Sequence, residues 1–99
     1  MIKLFAKKHQ IDYKIILAVC DKEHTGKTFE DGVICFTASE RFYKGEEITE
    51  KELIKMLKEA DSINLFGDKC VDIAIKNGFA TEKSVKKICG IKHTQVYTV

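Results

Sequence analysis

The sequence contains no proline and no tryptophan, and Arg41 is its single arginine against sixteen lysines. A dedicated reader of phosphates or bases usually carries several arginines, because the guanidinium fork engages two acceptors at once. That architecture is therefore not what this chain offers. The missing proline and tryptophan, with two glutamines and abundant lysine, glutamate and isoleucine, match the bias of heat-adapted proteomes and predict a thermophilic source. No apolar stretch approaches the length of a membrane span, and MIKLFAKKHQ lacks the apolar centre of a signal peptide, so no membrane is expected. The four cysteines, at 20, 35, 70 and 89, contain no C-x-x-C pair, and the expected compartment is the cytoplasm. Repeats, low-complexity stretches and linkers are also missing. No pair of carboxylates stands out as an acid/base couple, and Ser39, Ser62 and Ser84 lack the context of a nucleophile elbow. No catalytic residue, no cofactor and no metal is predicted, and the balance leans away from an enzyme.

What is present describes one folded domain. Ninety-nine residues are too few for two independent cores, and 44% apolar with 32% charged residues is the composition of a globular chain. The formal charge of +2 is too small to dictate a partner. Residues 2–6 and 13–20 read as strands, the second an almost unbroken apolar run suited to a central strand covered on both faces. VICFT at 33–37 follows the turn signal Asp31-Gly32, and RFY at 41–43 suggests a short further strand. Thr49 and Glu52 form a capping box, flanked by the staple pair Ile48 and Leu53, and open a helix over about residues 50–60. SINLF at 62–66 is a strand. Asp68 is placed to cap a helix that Gly78 closes, Thr81 opens another that Gly90 ends, and 94–99 alternates as a last strand. The order β-β-β-(β)-α-β-α-α-β predicts an α+β fold, a mixed sheet of about four to five strands packed against about three helices.

The stretch DKEHTGKTFEDG at 21–32 contains the end of a phosphate-binding loop. Such a loop needs a first glycine five residues before Gly26 and a helix after it, so that free backbone N–H groups surround the phosphates. Position 21 is an aspartate, whose charge would repel a phosphate, and strand-like VICF follows instead of a helix. The stretch is read as a connection between strands with Gly26 as a left-handed turn residue.

Four other groupings invite a functional reading beside a structural one. Cys20-Asp21-x-x-His24 lacks the further ligands zinc requires, and Cys20, Cys35, Cys70 and Cys89 all fall where a thiol acts as a small hydrophobe. Asn64, Gly67 and Asp68 form a strand–glycine–helix junction, where Asp68 as a cap satisfies the donors an anion would need. Arg41, Tyr43 and Lys44 with Phe42 interleave cations and aromatics, as surfaces that stack bases do, or else form an edge strand with one aromatic buried. Lys83, Lys86, Lys87, Lys92 and His93 make the densest basic stretch, along the outer face of the expected last helix; the alternatives are a solvated face and a nucleic-acid footprint.

LAVCD with TGK (17–21 and 25–27), RFYKGE (41–46), INLFGD (63–68) and IKHTQVY (91–97) make nearly the whole chain resemble a small archaeal family of uncharacterised conserved proteins, domain of unknown function 424. The resemblance implies an archaeal cytoplasmic protein of about this length, and an association with translation. It supplies no reaction and no catalytic residues. The expected function is thus a noncatalytic binding module for structured RNA or a translation-related ribonucleoprotein, using Arg41, Tyr43, Lys44, Lys83, Lys86, Lys87, Lys92 and His93. The alternatives are a protein–protein adaptor, then an enzyme with a site around Asp21, Lys27 and Asn64. An uncovered edge strand can also pair across a two-fold axis, which would make a homodimer.

Overall fold

The computed structural model describes residues 2–97. Strands β1 (Leu4–Ile11) and β2 (Lys14–Asp21) form a hairpin, and a 3-10 turn (Lys22–His24) leads into a second hairpin, β3 (Thr28–Asp31) and β4 (Ile34–Thr37). One helical turn, α1 (Glu40–Tyr43), precedes β5 (Glu46–Ile48), helix α2 (Glu50–Glu59), β6 (Ser62–Phe66) and helix α3 (Asp68–Lys76). A 3-10 turn (Glu82–Ser84) and a third hairpin, β7 (Val85–Ile88) and β8 (Ile91–Tyr97), complete the chain. Thr98 and Val99, the end of the expected last strand, lie outside the described residues. The main sheet has the order β5-β1-β2-β6-β8-β7, and β3-β4 is a separate two-stranded sheet. Every pairing in the main sheet is antiparallel except β2 with β6. The fold is α+β with a mixed sheet, as the element order suggested.

Strand alternation divides the core in two. On the first face Leu4, Ala6, Leu17, Val19, Ile63 and Leu65 pack against the apolar stripes of α2 and α3. On the second, Ala18, Cys20 and Phe66 lie under Tyr43, Phe29 and Phe36, brought over by α1 and the β3–β4 hairpin. Residues Leu17 to Asp21 of β2 are accordingly buried on both sides, the pattern its continuous apolar run predicted. The capping box at α2 is formed: Thr49 N–H donates to Glu52 Oε1 at 3.0 Å and Glu52 N–H to Thr49 Oγ1 at 3.2 Å.

Three elements differ from the sequence reading, the first being β3 at Thr28–Asp31, where a connection was expected. Residues 41–43 form a helical turn rather than a strand, while the short strand falls at 46–48. The helix expected from Thr81 to Gly90 is a hairpin arm. Val85 packs with the first core and Ile88 with the second, so their three-residue spacing places them on opposite faces of a strand. Cys89 and Gly90, at φ +51° and +79°, form the two-residue loop that turns β7 into β8. Gly90, read as a helix stop, is the second residue of that loop.

Candidate binding surface on the second sheet face

The β3–β4 hairpin and α1 cover only part of the second face. The registers set residues across the sheet in rows: Cys20, Phe66, His93 and Lys86 in one, Ala18, Asn64 and Gln95 in the next, Ile16, Ser62 and Tyr97 in a third. The first row lies under the hairpin aromatics, with the Phe36 ring 4.7 Å from that of Phe66 and 6.0 Å from that of His93. Beyond it the face opens, and Tyr97, 70% exposed, and exposed Gln95 stand at its outer end.

Asn64 is the centre of this surface. Its Oδ1 accepts the Tyr43 hydroxyl at 2.7 Å and lies 3.3 Å from His93 Nε2. Tyr43 is thereby a buried strut, its ionisation pushed up by burial, and it does not offer a ring for stacking. Burial, and secondarily the nearby Lys86, hold His93 below its ordinary pKa, so the ring faces the site as a neutral donor and acceptor. Stacking rings, a carboxamide pair (Asn64 and Gln95) and a cation (Lys86) are thus gathered on one half-open platform.

The expected basic stretch is not a single surface. Lys86 and His93 project from the second face; Lys87 and Lys92 project from the first, where Lys92 Nζ is bonded to Asp72 at 2.7 Å. Lys83 is exposed in the 3-10 turn before β7. Arg41 and Lys44 sit on and beside α1 at the β1 side, four strand steps or about 19 Å from β7. Lys44 is paired with Glu40 at 3.1 Å. Tyr97, Gln95 and Asn64 as a platform were not foreseen, because the registers that align them are set by pairings across the sheet.

A family model described as protein of unknown function (DUF424) matches residues 9–99. The chain belongs to this family. The DUF424 chain is also similar to the crystal structure of an uncharacterized conserved protein from Methanopyrus kandleri, an archaeon, with a TM-score of 0.82 and 22% identity. The match covers 98% of this chain and 92% of that one, and establishes the fold. No protein with a curated description matches the DUF424 chain.

The grouping of Asp21, Lys27 and Asn64 is dispersed by this DUF424 fold. Asp21 lies on the first face and its carboxylate is only 1% exposed. Its Oδ2 accepts Lys69 N–H and its Oδ1 Cys70 N–H, both at 3.0 Å. It therefore caps α3 from another strand, and Asp68, expected as the cap, instead accepts Lys92 N–H at 2.9 Å. Gly67, at φ +133°, leaves the space: a Cβ there would run into the Asp21 carboxylate. Burial raises the Asp21 pKa while the two backbone donors pull it back.

Lys27 is exposed in the connecting loop, where Gly26 takes φ +83° and Thr28 begins β3, so no helix follows the GKT triplet. Ligand atoms of Asp21, Glu23 and His24 lie within 4.8 Å of one another. Asp21 is committed to the helix, however, and Glu23 is paired with Lys69 at 3.0 Å. Burial pushes the Cys20 thiol up to about 11 and raises that of Cys70 as well, which keeps both protonated and inert at neutral pH.

Proposed function

We propose that the protein is a noncatalytic RNA-binding module that takes unpaired nucleotides of a structured RNA on the open part of its second sheet face. The RNA is either free or part of a ribonucleoprotein such as those of translation. The observation that supports this is the alignment of Tyr97, Gln95, Asn64, His93 and Lys86 on one face. Protein surfaces recognise splayed-out bases by stacking them on aromatic rings and hydrogen-bonding their edges, with cations tracking the backbone. Each of those roles has a side chain on this platform. Lys86 supplies the phosphate contact, while Lys87 and Lys92 belong to the opposite face and Tyr43 to the core.

The test is fluorescence anisotropy with transfer RNA, a ribosomal RNA fragment and a single-stranded oligomer, at about 50 and about 200 mM salt, where phosphate contacts declare themselves. Binding should weaken with salt, and both Tyr97→Ala and Lys86→Gln should weaken it several-fold, whereas Lys87→Gln should not. Equal effects of the two lysine substitutions, or no binding to any probe at low salt, refute the proposal.

A further inference from the structure

The β1 strand is paired along only one side. All eight of its residues pair with β2, but on the other side β5 pairs only with Leu4, Phe5 and Ala6. Gly45 lies against the Lys7 backbone, and from Lys8 to Ile11 the outer edge of the sheet has no strand partner. The hairpin closes with Ile11 opposite Lys14, so the odd-numbered residues of β1 exchange hydrogen bonds with β2 and the even-numbered ones point outward. The bond from Lys22 N–H to Lys3 O agrees with that phase. Leu4 and Ala6 spend their outward groups on β5, which leaves the N–H and C=O of Lys8 and Gln10. Among the described residues, neither backbone takes a bond outside the strand ladders.

Nothing blunts this edge. Proline is absent, Lys7 Nζ turns to donate to Arg41 O at 2.7 Å, and Lys8 Nζ lies 3.9 Å from Glu59 on α2. Depressions flank the edge on both faces. Toward α2 one of about 580 Å³ has Ala6, Ile48 and Met56 as its apolar lining, with Lys8, Lys55 and Glu59 among its charged residues. Toward α1 one of about 250 Å³ is lined by His9, Ser39, Arg41 and Phe42. Arg41 has no ion pair among the described residues.

We infer that this slot receives an extended segment of another protein as a further strand, continuing the line of β5 along β1. A strand there bonds Lys8 and Gln10 through its backbone and sends alternate side chains into the two depressions. The α1 side, with Arg41 and Lys7, fits a carboxylate. The α2 side, with Ile48 and Met56, fits an apolar side chain. The partner is thus a segment alternating acidic and apolar residues over the four positions from Lys8 to Ile11, roughly 13 Å. In the two-fold register centred on His9 a second copy of this chain meets β5. Pairing Lys8 with the copy's Gln10 would place the copy's Asp12 opposite Ala6, where Glu46 already stands.

The experiment titrates the full chain with a labelled peptide alternating valine and glutamate, read by anisotropy and by exchange of the Lys8 and Gln10 amides. Comparison peptides alternate valine with lysine, or carry N-methyl groups on the residues that bond β1. The valine–glutamate peptide should bind and slow exchange at both amides, Arg41→Ala should weaken it about tenfold, and both comparison peptides should fail. Unchanged exchange at saturating peptide, or equal binding of the lysine version, overturns the inference. So does protection of those amides that rises with protein concentration alone, which would give the edge to a second copy. Tyr97→Ala and Lys86→Gln leave this binding unaltered, so its outcome is separable from that of RNA binding.

Discussion

Replacing Asp21 with alanine should damage the fold rather than any reaction. The carboxylate receives two N–H groups at the first turn of α3, and a hydrogen bond to an ionised acceptor contributes about 1.5–3 kcal/mol. Burying the charge, which raises its pKa, offsets part of that sum. The Cys70 N–H would be left without a partner in a fully buried setting, which restores some of the cost. A net loss of about 3 kcal/mol follows, somewhat above the usual range for a helix cap because two bonds to one carboxylate are lost and the buried Cys70 N–H is orphaned. For a domain of this size each kcal/mol shifts the melting temperature by about 4–8 °C, so Asp21→Ala should melt roughly 12–24 °C lower. Asp21→Asn, which keeps the shape but presents one N–H to a donor, should fall between. The assay is thermal melting by circular dichroism, with urea unfolding to confirm the free energy. As a control, Glu23→Ala removes an exposed ion pair two residues away and should cost under about 1 kcal/mol. An Asp21→Ala protein within about 0.5 kcal/mol of the parent would show that the helix is not held this way.

Tyr43→Phe removes the hydroxyl that holds Asn64 and should lower stability by about 1–2 kcal/mol in urea unfolding; an unchanged midpoint would mean the strut carries no load. His93 gives the pH dependence. Its folded pKa lies below the ordinary 6.5, so the neutral ring contributes stability that is full above that value and is lost as pH falls through it to the folded value. The urea midpoint of the parent should therefore drop as the pH is lowered through and below 6.5. That drop should shrink in His93→Gln, and equal slopes for the two proteins would contradict the assignment.

What could be read from the sequence was what neighbouring residues decide among themselves. The apolar run of β2, the Thr49–Glu52 box and the left-handed Gly78, at φ +81°, each depend on a few adjacent positions. The same holds for the rejection of a phosphate loop at Gly26. Two kinds of feature escaped. Val85, Ile88 and Cys89 satisfy a helical spacing, but in so short a segment a strand with faces in two cores satisfies it equally, and no local signal marks Cys89 as left-handed. The true cap of α3 comes from Asp21, 48 residues before the Lys69 amide it meets, while Asp68 occupies the expected place and bonds the Lys92 amide instead. The platform around Asn64 escaped for the same reason, since its members come from β6, β7 and β8. The basic stretch was legible as composition but not as surface, because alternation in β7 and β8 divides it between two faces.

The Asp21 cap also has a consequence for how the chain comes together during synthesis. It joins the end of β2 to the start of α3 across the β2–β6 pair, the one parallel pairing in the main sheet. A nascent chain carries Asp21 through the making of two hairpin strands, a helical turn and α2 before any of its acceptors has a donor. The carboxylate is then a latch that closes late, and it closes only when Val19 lies opposite Leu65, since a slip of one residue would carry it past the helix end. The clasp thus ties the register of the β2–β6 pair to the start of α3.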